Sequence, residues 1–330
     1  MNRSFVFGLL LTLSAARGLA LDVNYLGVIK STRYLQTSGG LAVYPSNAYA
    51  FNAFAYSTNG MATNVTVKPP NSTPLRTLTS DTNRLVWQFD EQFGTAAALD
   101  AAYPSSSPFN PFATFTYPMT VAGVNDGSHT VRPIYLSLGG SPGLPQLTNF
   151  AAAQAIDTTR DFTLRFIPSG GSLDLAQVIV LDAASNAVYA SPFPFTDGAL
   201  SGSSSSATIP AYTLPPGQSL IGHLTFARPH LPDTNSYPGA IAVPALARDT
   251  EFPLRTRPAP LPPVLRAQPG LPFRLTFTGE TNRQYHLQAT TNWVAWQELF
   301  VTNLPVPQGS FTDTQSVALP RRFYRIQVGP

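Results

Sequence analysis

Thr114-Phe115-Thr116-Tyr117-Pro118-Met119, then Asn125-Asp126-Gly127, then Ile134-Tyr135-Leu136-Ser137-Leu138 is the stretch whose reading decides the fold class. Phe115, Tyr117 and Met119 alternate with Thr114 and Thr116, and Ile134, Leu136 and Leu138 alternate in their turn. A period of two sends one side of a strand into a core and the other into water. Asn125-Asp126-Gly127 lies between the runs and reads as a hairpin turn, since glycine takes the positive φ that such a turn needs.

The same period recurs on both sides of this stretch. Tyr49, Phe51 and Ala53 alternate upstream; Phe162, Leu164 and Phe166 alternate downstream. Val178-Ile179-Val180-Leu181 is a continuous apolar run, as expected of a strand covered on both faces, and Ala184-Ser185-Asn186 turns it into Ala187-Val188-Tyr189. Ile209, Leu220, Leu224 and Phe226 carry the pattern on, and Phe273/Leu275/Phe277 and Tyr285/Leu287/Ala289 repeat it near the end. One helix is predicted, over Thr95–Ala102, with Thr95 as its cap and Pro104 as its stop. Asn149–Asp157 suits either a helix, by its alanines, or a first strand, by its position. Short strands at roughly 8–12-residue spacing with Gly, Pro and Asn turns predict an all-β chain. The expected architecture is a tandem of β-sandwich modules of immunoglobulin or fibronectin type, with at most one or two short helices.

The first twenty residues have the layout of an export signal. Arg3 is the positive n-region, Phe5–Leu13 the apolar run, and Gly18 and Ala20 the small residues before a cleavage point at Leu21. That run is too short to cross a bilayer, which takes about 20 residues, and no later segment is long and apolar enough. The chain is therefore expected to be exported, to the medium, the cell surface or the periplasm, without transmembrane insertion. Five prolines between Arg255 and Gly270 disfavour regular pairing and predict a stiff linker. The expected layout is a signal peptide over 1–20, an N-terminal β domain over 21–143, a middle sandwich over 144–254, the linker over 255–270 and a small module over 271–330.

Composition narrows the function classes. Of 330 residues only 11% are charged, while 43% are hydrophobic and 11% aromatic, so core material is ample; globular chains average about 25% charged. Without Arg3 and Arg17 of the leader, 18 basic residues face 17 acidic ones, and lysine occurs only at Lys30 and Lys68. A nucleic-acid partner needs clustered cations, so none is expected. The chain has no cysteine, which removes disulfides, zinc–thiolate sites and thiol nucleophiles together.

Catalytic fingerprints are also missing from the sequence: the nucleophile elbow, the phosphate loop, the zincin motif and the dinucleotide motif, each of which depends on fixed spacing. His129, His223, His230 and His286 stand apart in sequence. Asp90-Glu91 is the one adjacent acidic pair and reads as a solvated strand end. No catalytic, cofactor-binding or metal-ligating residue is nominated, and no cofactor is expected. Among the three tryptophans, Trp87 sits in a strand-like run, whereas Trp293 falls in a turn and is the one candidate ligand contact, since an exposed indole can stack on a sugar ring.

The last 60 residues or so carry a resemblance. Tyr285-His286-Leu287-Gln288-Ala289-Thr290-Thr291-Asn292, then Trp296, then Phe311-Thr312-Asp313, then Phe323-Tyr324-Arg325 resembles a short β-module that ends secreted multidomain proteins of environmental bacteria. Thr290 and Trp293 depart from that pattern, which usually has Ser and Leu there. The resemblance implies a non-catalytic accessory or retention module, and it implies that Trp296 fills the module's core. The reading that follows is a secreted, non-catalytic extracellular or cell-surface protein of structural, adhesive type, with a cell-envelope component or polysaccharide as partner. The alternatives are a glycan-binding protein and a hydrolase with a dispersed site.

Overall fold

The computed structural model describes residues 22–44, 46–71, 74–192, 194, 196–259, 261–270, 272–281, 283–319 and 321–329. The signal peptide expected over 1–20 lies outside the described residues. Among the latter are 23 β-strands, one α-helix and three 3-10 turns, so the all-β class stands. No helix among them is long and apolar enough to cross a membrane. The chain forms two compact units, one ending at Thr256 and the other comprising Asp157–Arg160 with Arg257–Pro330.

The first unit is built on a nine-stranded sheet. Its strands are β1 (Tyr25–Leu35), β2 (Ala42–Val43), β3 (Tyr49–Tyr56), β6 (Thr79–Ser80), β7 (Val86–Phe93), β13 (Leu175–Leu181), β14 (Ala187–Ala190), β16 (Ser219–Pro229) and β17 (Ile241–Arg255). The order is β14-β13-β16-β17-β1-β3-β7-β6, with β2 paired to β1. Three smaller sheets accompany it: β4 (Ala62–Val67), β5 (Arg76–Thr77), β9 (Met119–Gly123) and β10 (Gly127–Val131); β8 (Thr114–Thr116) with β11 (Ile134–Leu136); and β12 (Phe162–Arg165) with β15 (Ser206–Ile209). One face of the large sheet buries Leu26, Val28, Phe51 and Trp87 against Val65, Val67, Met119 and Val121. Further along it buries Val178, Leu224, Phe226 and Phe252 against Leu164 and Ile209. Burial of this extent is the main driving force for holding the sheets together.

This arrangement corrects the expected boundary at 143/144. β1 runs parallel to β17 over eleven residues, from Tyr25 opposite Ile241 to Leu35 opposite Glu251. The expected first and middle modules therefore share one sheet and one compact unit. Pairing between strands more than 200 positions apart leaves no local mark in composition or periodicity.

Local expectations fare better where a side chain enforces them. The helix α1 (Ala96–Ala102) follows Thr95, whose hydroxyl accepts from the Ala98 amide at 3.2 Å, as an N-cap does. The β9–β10 hairpin turns at Gly127, at φ +78°. Asn149–Asp157 becomes neither element but a loop with one short 3-10 turn, Ala152–Gln154. In β11 the phase is the reverse of that expected. Tyr135 is the fully buried residue and Leu138 is exposed, because the Tyr135 hydroxyl lies 2.8 Å from the Val28 carbonyl and 2.9 Å from that of Ala245.

The second unit is a small sandwich of two three-stranded sheets. One is β18 (Val264–Gln268), β19 (Phe273–Thr278) and β22 (Gln308–Asp313); the other is β20 (Gln284–Thr290), β21 (Gln297–Asn303) and β23 (Phe323–Val328). Phe277, Tyr285 and Leu304 form its core with Leu265, Phe300, Ile326 and Val328 around them. The linker expected over 255–270 is shorter than that. Arg255 ends β17, and Val264–Gln268 pairs with β19 between flanking prolines that stay outside the ladder.

Candidate functional site

The second unit carries the most distinctive solvent-facing feature, and local chain chemistry sets it up. After β20 the Asn292 carboxamide oxygen accepts from the amides of Val294 at 3.0 Å and Ala295 at 3.1 Å. The Thr290 hydroxyl donates to the same oxygen at 3.0 Å. This clamp leaves Trp293 in the left-handed region at φ +64°, a conformation that disfavours a bulky side chain. The indole packs on Phe323 of β23, ring centroids 4.1 Å apart, and is still 62% exposed.

Trp296 stands edge-on to Trp293 at 5.9 Å, with its face covered by the Arg325 guanidinium at 4.1 Å. This corrects the implied core position of Trp296. The core is closed by Phe277, Tyr285 and Leu304, and Trp296 precedes β21 on the outer side with Arg325. Arg325 lies opposite Gln288 in the ladder and donates to its side-chain oxygen at 2.8 Å. A bulge between Leu287 and Gln288 brings Glu298 opposite Gln288, and Glu298 takes a hydrogen bond from the His286 ring. The outer face of the β21-β20-β23 sheet thus presents an open indole, a guanidinium lying over a second indole, an amide and a carboxylate–imidazole pair.

Two of the separated blocks, 311–313 and 323–325, meet in this unit. Asp313, at the end of β22, is buried and receives Arg322 at 2.7 Å and the Tyr324 hydroxyl at 2.8 Å. Burial, helped by the bond to Asp313, pushes the Tyr324 hydroxyl up to about 12. The pair holds Phe323 and Arg325, one residue to either side of Tyr324, in place beneath Trp293 and Trp296.

In the first unit, ionisable groups meet on the other face of the nine-stranded sheet. His223 Nδ1 lies 3.1 Å from Asp249, whose second oxygen accepts from Thr225 at 2.7 Å. Two residues on, Glu251 binds Arg33 at 3.2 Å, and Arg33 lies over the Tyr44 ring at 4.2 Å. Burial alone would raise the Asp249 carboxyl, but the attraction of His223 and the bonds from His223 and Thr225 hold it below its ordinary range. Sequence reading missed this cluster because its members come from separate strands, although the i, i+2 spacing of Asp249/Glu251 and His223/Thr225 marks each pair as sharing a face. A histidine–aspartate pair can orient a general base, but the neighbouring hydroxyl, Thr225, donates to the carboxylate and not to the imidazole. The adjoining cavity, lined by Tyr25, Phe54, Gln177, Thr225 and Val243, holds about 50 Å³, far below the few hundred that enclose a ligand.

Other polar groups are engaged in holding the chain. Asp174, fully buried, takes two bonds from Arg228, at 2.6 and 2.9 Å. Buried Lys30 donates to Asp100 and, at 2.8 Å, to Ser105. Burial lowers its pKa while Asp100 opposes the shift. Asp90 and Glu91 are not a solvated end: Asn52 binds the first, while Arg76 and the Tyr103 hydroxyl bind the second. Trp87 is a core residue, 7% exposed. A groove of about 740 Å³ beside Phe150 is lined by Ser38, Gln146 and Gln154, whose amides already donate to the Gly39 and Pro253 carbonyls. No group of three or more His, Asp or Glu residues able to hold a metal ion occurs among the described residues.

No family model and no curated protein matches the chain. Among solved structures, the FN1–FN3 domains of chicken CNTN1 align at 10% identity and a TM-score of 0.24, covering 92% of each chain. The BSP domain of a biofilm-associated protein aligns at 8% identity and a TM-score of 0.21, over 90% of this chain and 62% of that one. A tetra-tandem repeat from the extending region of a large adhesion protein aligns at 10% and 0.21, over 92% and 74%. TM-scores this low carry no argument, and the fold rests on the sheets described above.

Proposed function

We propose that the chain is a secreted, non-catalytic extracellular or cell-surface protein of structural, adhesive type, and that the outer face of its C-terminal sheet meets a surface component. The observation that carries this reading is Trp293, held in a disfavoured backbone conformation, backed by Phe323 and left largely open to solvent. Left-handed backbone at a bulky residue costs of order 1–3 kcal/mol, and such sites cluster where a side chain is presented to a ligand. The export layout of residues 1–20, the cysteine-free composition and the resemblance of 285–325 to a retention module support the same reading.

The test is fractionation of cells that make the protein. Full-length protein is expected with the envelope, and the Trp293→Ala variant in the medium. Wild-type and variant partitioning alike would contradict the assigned contact face, and turnover on a panel of polysaccharide or ester substrates would contradict the non-catalytic part.

A further inference from the structure

We infer that the Trp293 face binds a neutral polysaccharide, an inference that rests on the contact surface proposed above and names its ligand class. The Trp293 indole is against Phe323, with Trp296 edge-on beside it, and the residue is still largely open. A flat apolar plate of that kind fits the apolar C–H face of a pyranose ring, burying area on both partners without desolvating a charge. Beside it, Arg325 lies over the Trp296 ring, 4.1 Å from its centroid, and is pinned through Nε to Gln288. Its terminal N–H groups have no protein acceptor among the described residues, and two parallel donors in a rigid fork match a vicinal pair of sugar hydroxyls. Gln288 and Glu298, opposite each other across the bulge, add acceptors on the same face.

Charge decides between neutral and acidic chains. Arg325 is offset by Glu298, and Glu298 is already bonded to His286. Arg322, the next cation along, is buried against Asp313. Within β20, β21 and β23 Arg325 is the one arginine or lysine, so the strands of this sheet offer one fork and no row of cations, whereas a polyanion is held by several. The mixture of a stacking plate with both donors and acceptors suits hydroxyl-rich, uncharged units.

The experiment is affinity electrophoresis of the full-length chain through gels containing laminarin, galactomannan or arabinoxylan, with alginate as the acidic comparison. Retardation by at least one neutral polysaccharide is expected. Trp293→Ala should weaken it at least tenfold and Arg325→Ala severalfold, with unchanged thermal unfolding. Phe109→Ala, which removes an exposed aromatic of the first unit, should leave it unchanged. Retardation by alginate alone, by none of the gels, or equally for Trp293→Ala overturns the inference. Loss of envelope attachment in Trp293→Ala without retardation in any neutral gel rejects the ligand class and keeps the contact surface. Retardation through Trp293 with attachment unaffected rejects the retention role and keeps the ligand class.

Discussion

Two faces of this molecule gather polar and aromatic side chains, and they treat them in opposite ways. On the nine-stranded sheet, His223 and Thr225 bind Asp249, and Arg33 binds Glu251, across neighbouring strands. On the outer C-terminal sheet, the cross-strand bond from Arg325 to Gln288 fixes a guanidinium but leaves its other donors without a protein acceptor among the described residues, and Trp293 is turned outward. The first arrangement stabilises a sheet. The second presents a surface. Convergence of ionisable groups does not by itself separate structure from function; what separates these two faces is burial, since His223, Thr225 and Asp249 are buried and Trp293 is open.

Four experiments break or sharpen that contrast. The largest effect is expected for Asp313→Ala, which leaves Arg322 buried without its carboxylate; breaking such a pair costs about 3–5 kcal/mol. The C-terminal unit is small, so limited proteolysis should show it digested while the first unit resists, and glycan retardation should vanish with it. If the unit stays intact, the pair beneath Trp293 is not what holds that face.

Asp249→Ala comes next. It should cost about 2–3 kcal/mol, seen as a Tm loss on the order of 5–10 °C by calorimetry, and leave retardation by polysaccharide unchanged. An undiminished Tm combined with loss of a binding or hydrolytic activity would make that cluster a functional site and reverse the contrast.

Acid titration gives a smaller effect of known sign. Asp22, Asp174, Asp233 and Asp249 are all held below the ordinary carboxylate range, Asp233 at about 2 through hydrogen bonds from Ser236, Arg132 and Asn235 that outweigh its burial. A depressed folded-state pKa contributes stability that is complete above the unfolded value near ~4 and is lost as pH falls through the folded value. Asp90, raised by burial, acts in the opposite direction. The Tm should therefore hold to about pH 4 and fall steeply toward pH 2, and Asp249→Asn should flatten that fall. A Tm that rises between those limits would reject the pairing.

The smallest effect compares Trp293→Gly with Trp293→Ala. Both remove the ring and should weaken retardation alike, but glycine accepts φ +64° and alanine does not, so the glycine variant should be more stable by about 1 kcal/mol in urea unfolding. Equal stability would mean that the turn relaxes and that Trp293 is not held under strain.

Legibility followed locality. The all-β class, the Thr95 cap, the Gly127 hairpin and the buried alternation of Tyr285, Leu287 and Ala289 could be read because each depends on neighbours in sequence. Tyr135 was misphased because a long-range hydroxyl contact overrode the apolar count, and the single large sheet was missed because β1 and β17 find each other across most of the unit. Trp293 was legible as an exposed turn residue. Arg325 and Gln288 were not, since a polar residue on an outer strand face looks the same in sequence whether or not it stands beside a displayed tryptophan.

The central claim is that Trp293 is the point of contact. Acrylamide quenching of tryptophan fluorescence, read with and without a retained soluble polysaccharide, addresses it directly, because Trp87 is buried while Trp293 is open. The account predicts an accessible component in the free protein that is shielded on binding and reduced in Trp293→Ala, where half-buried Trp296 remains. Binding that leaves the accessible component fully quenchable would place the contact elsewhere and contradict it.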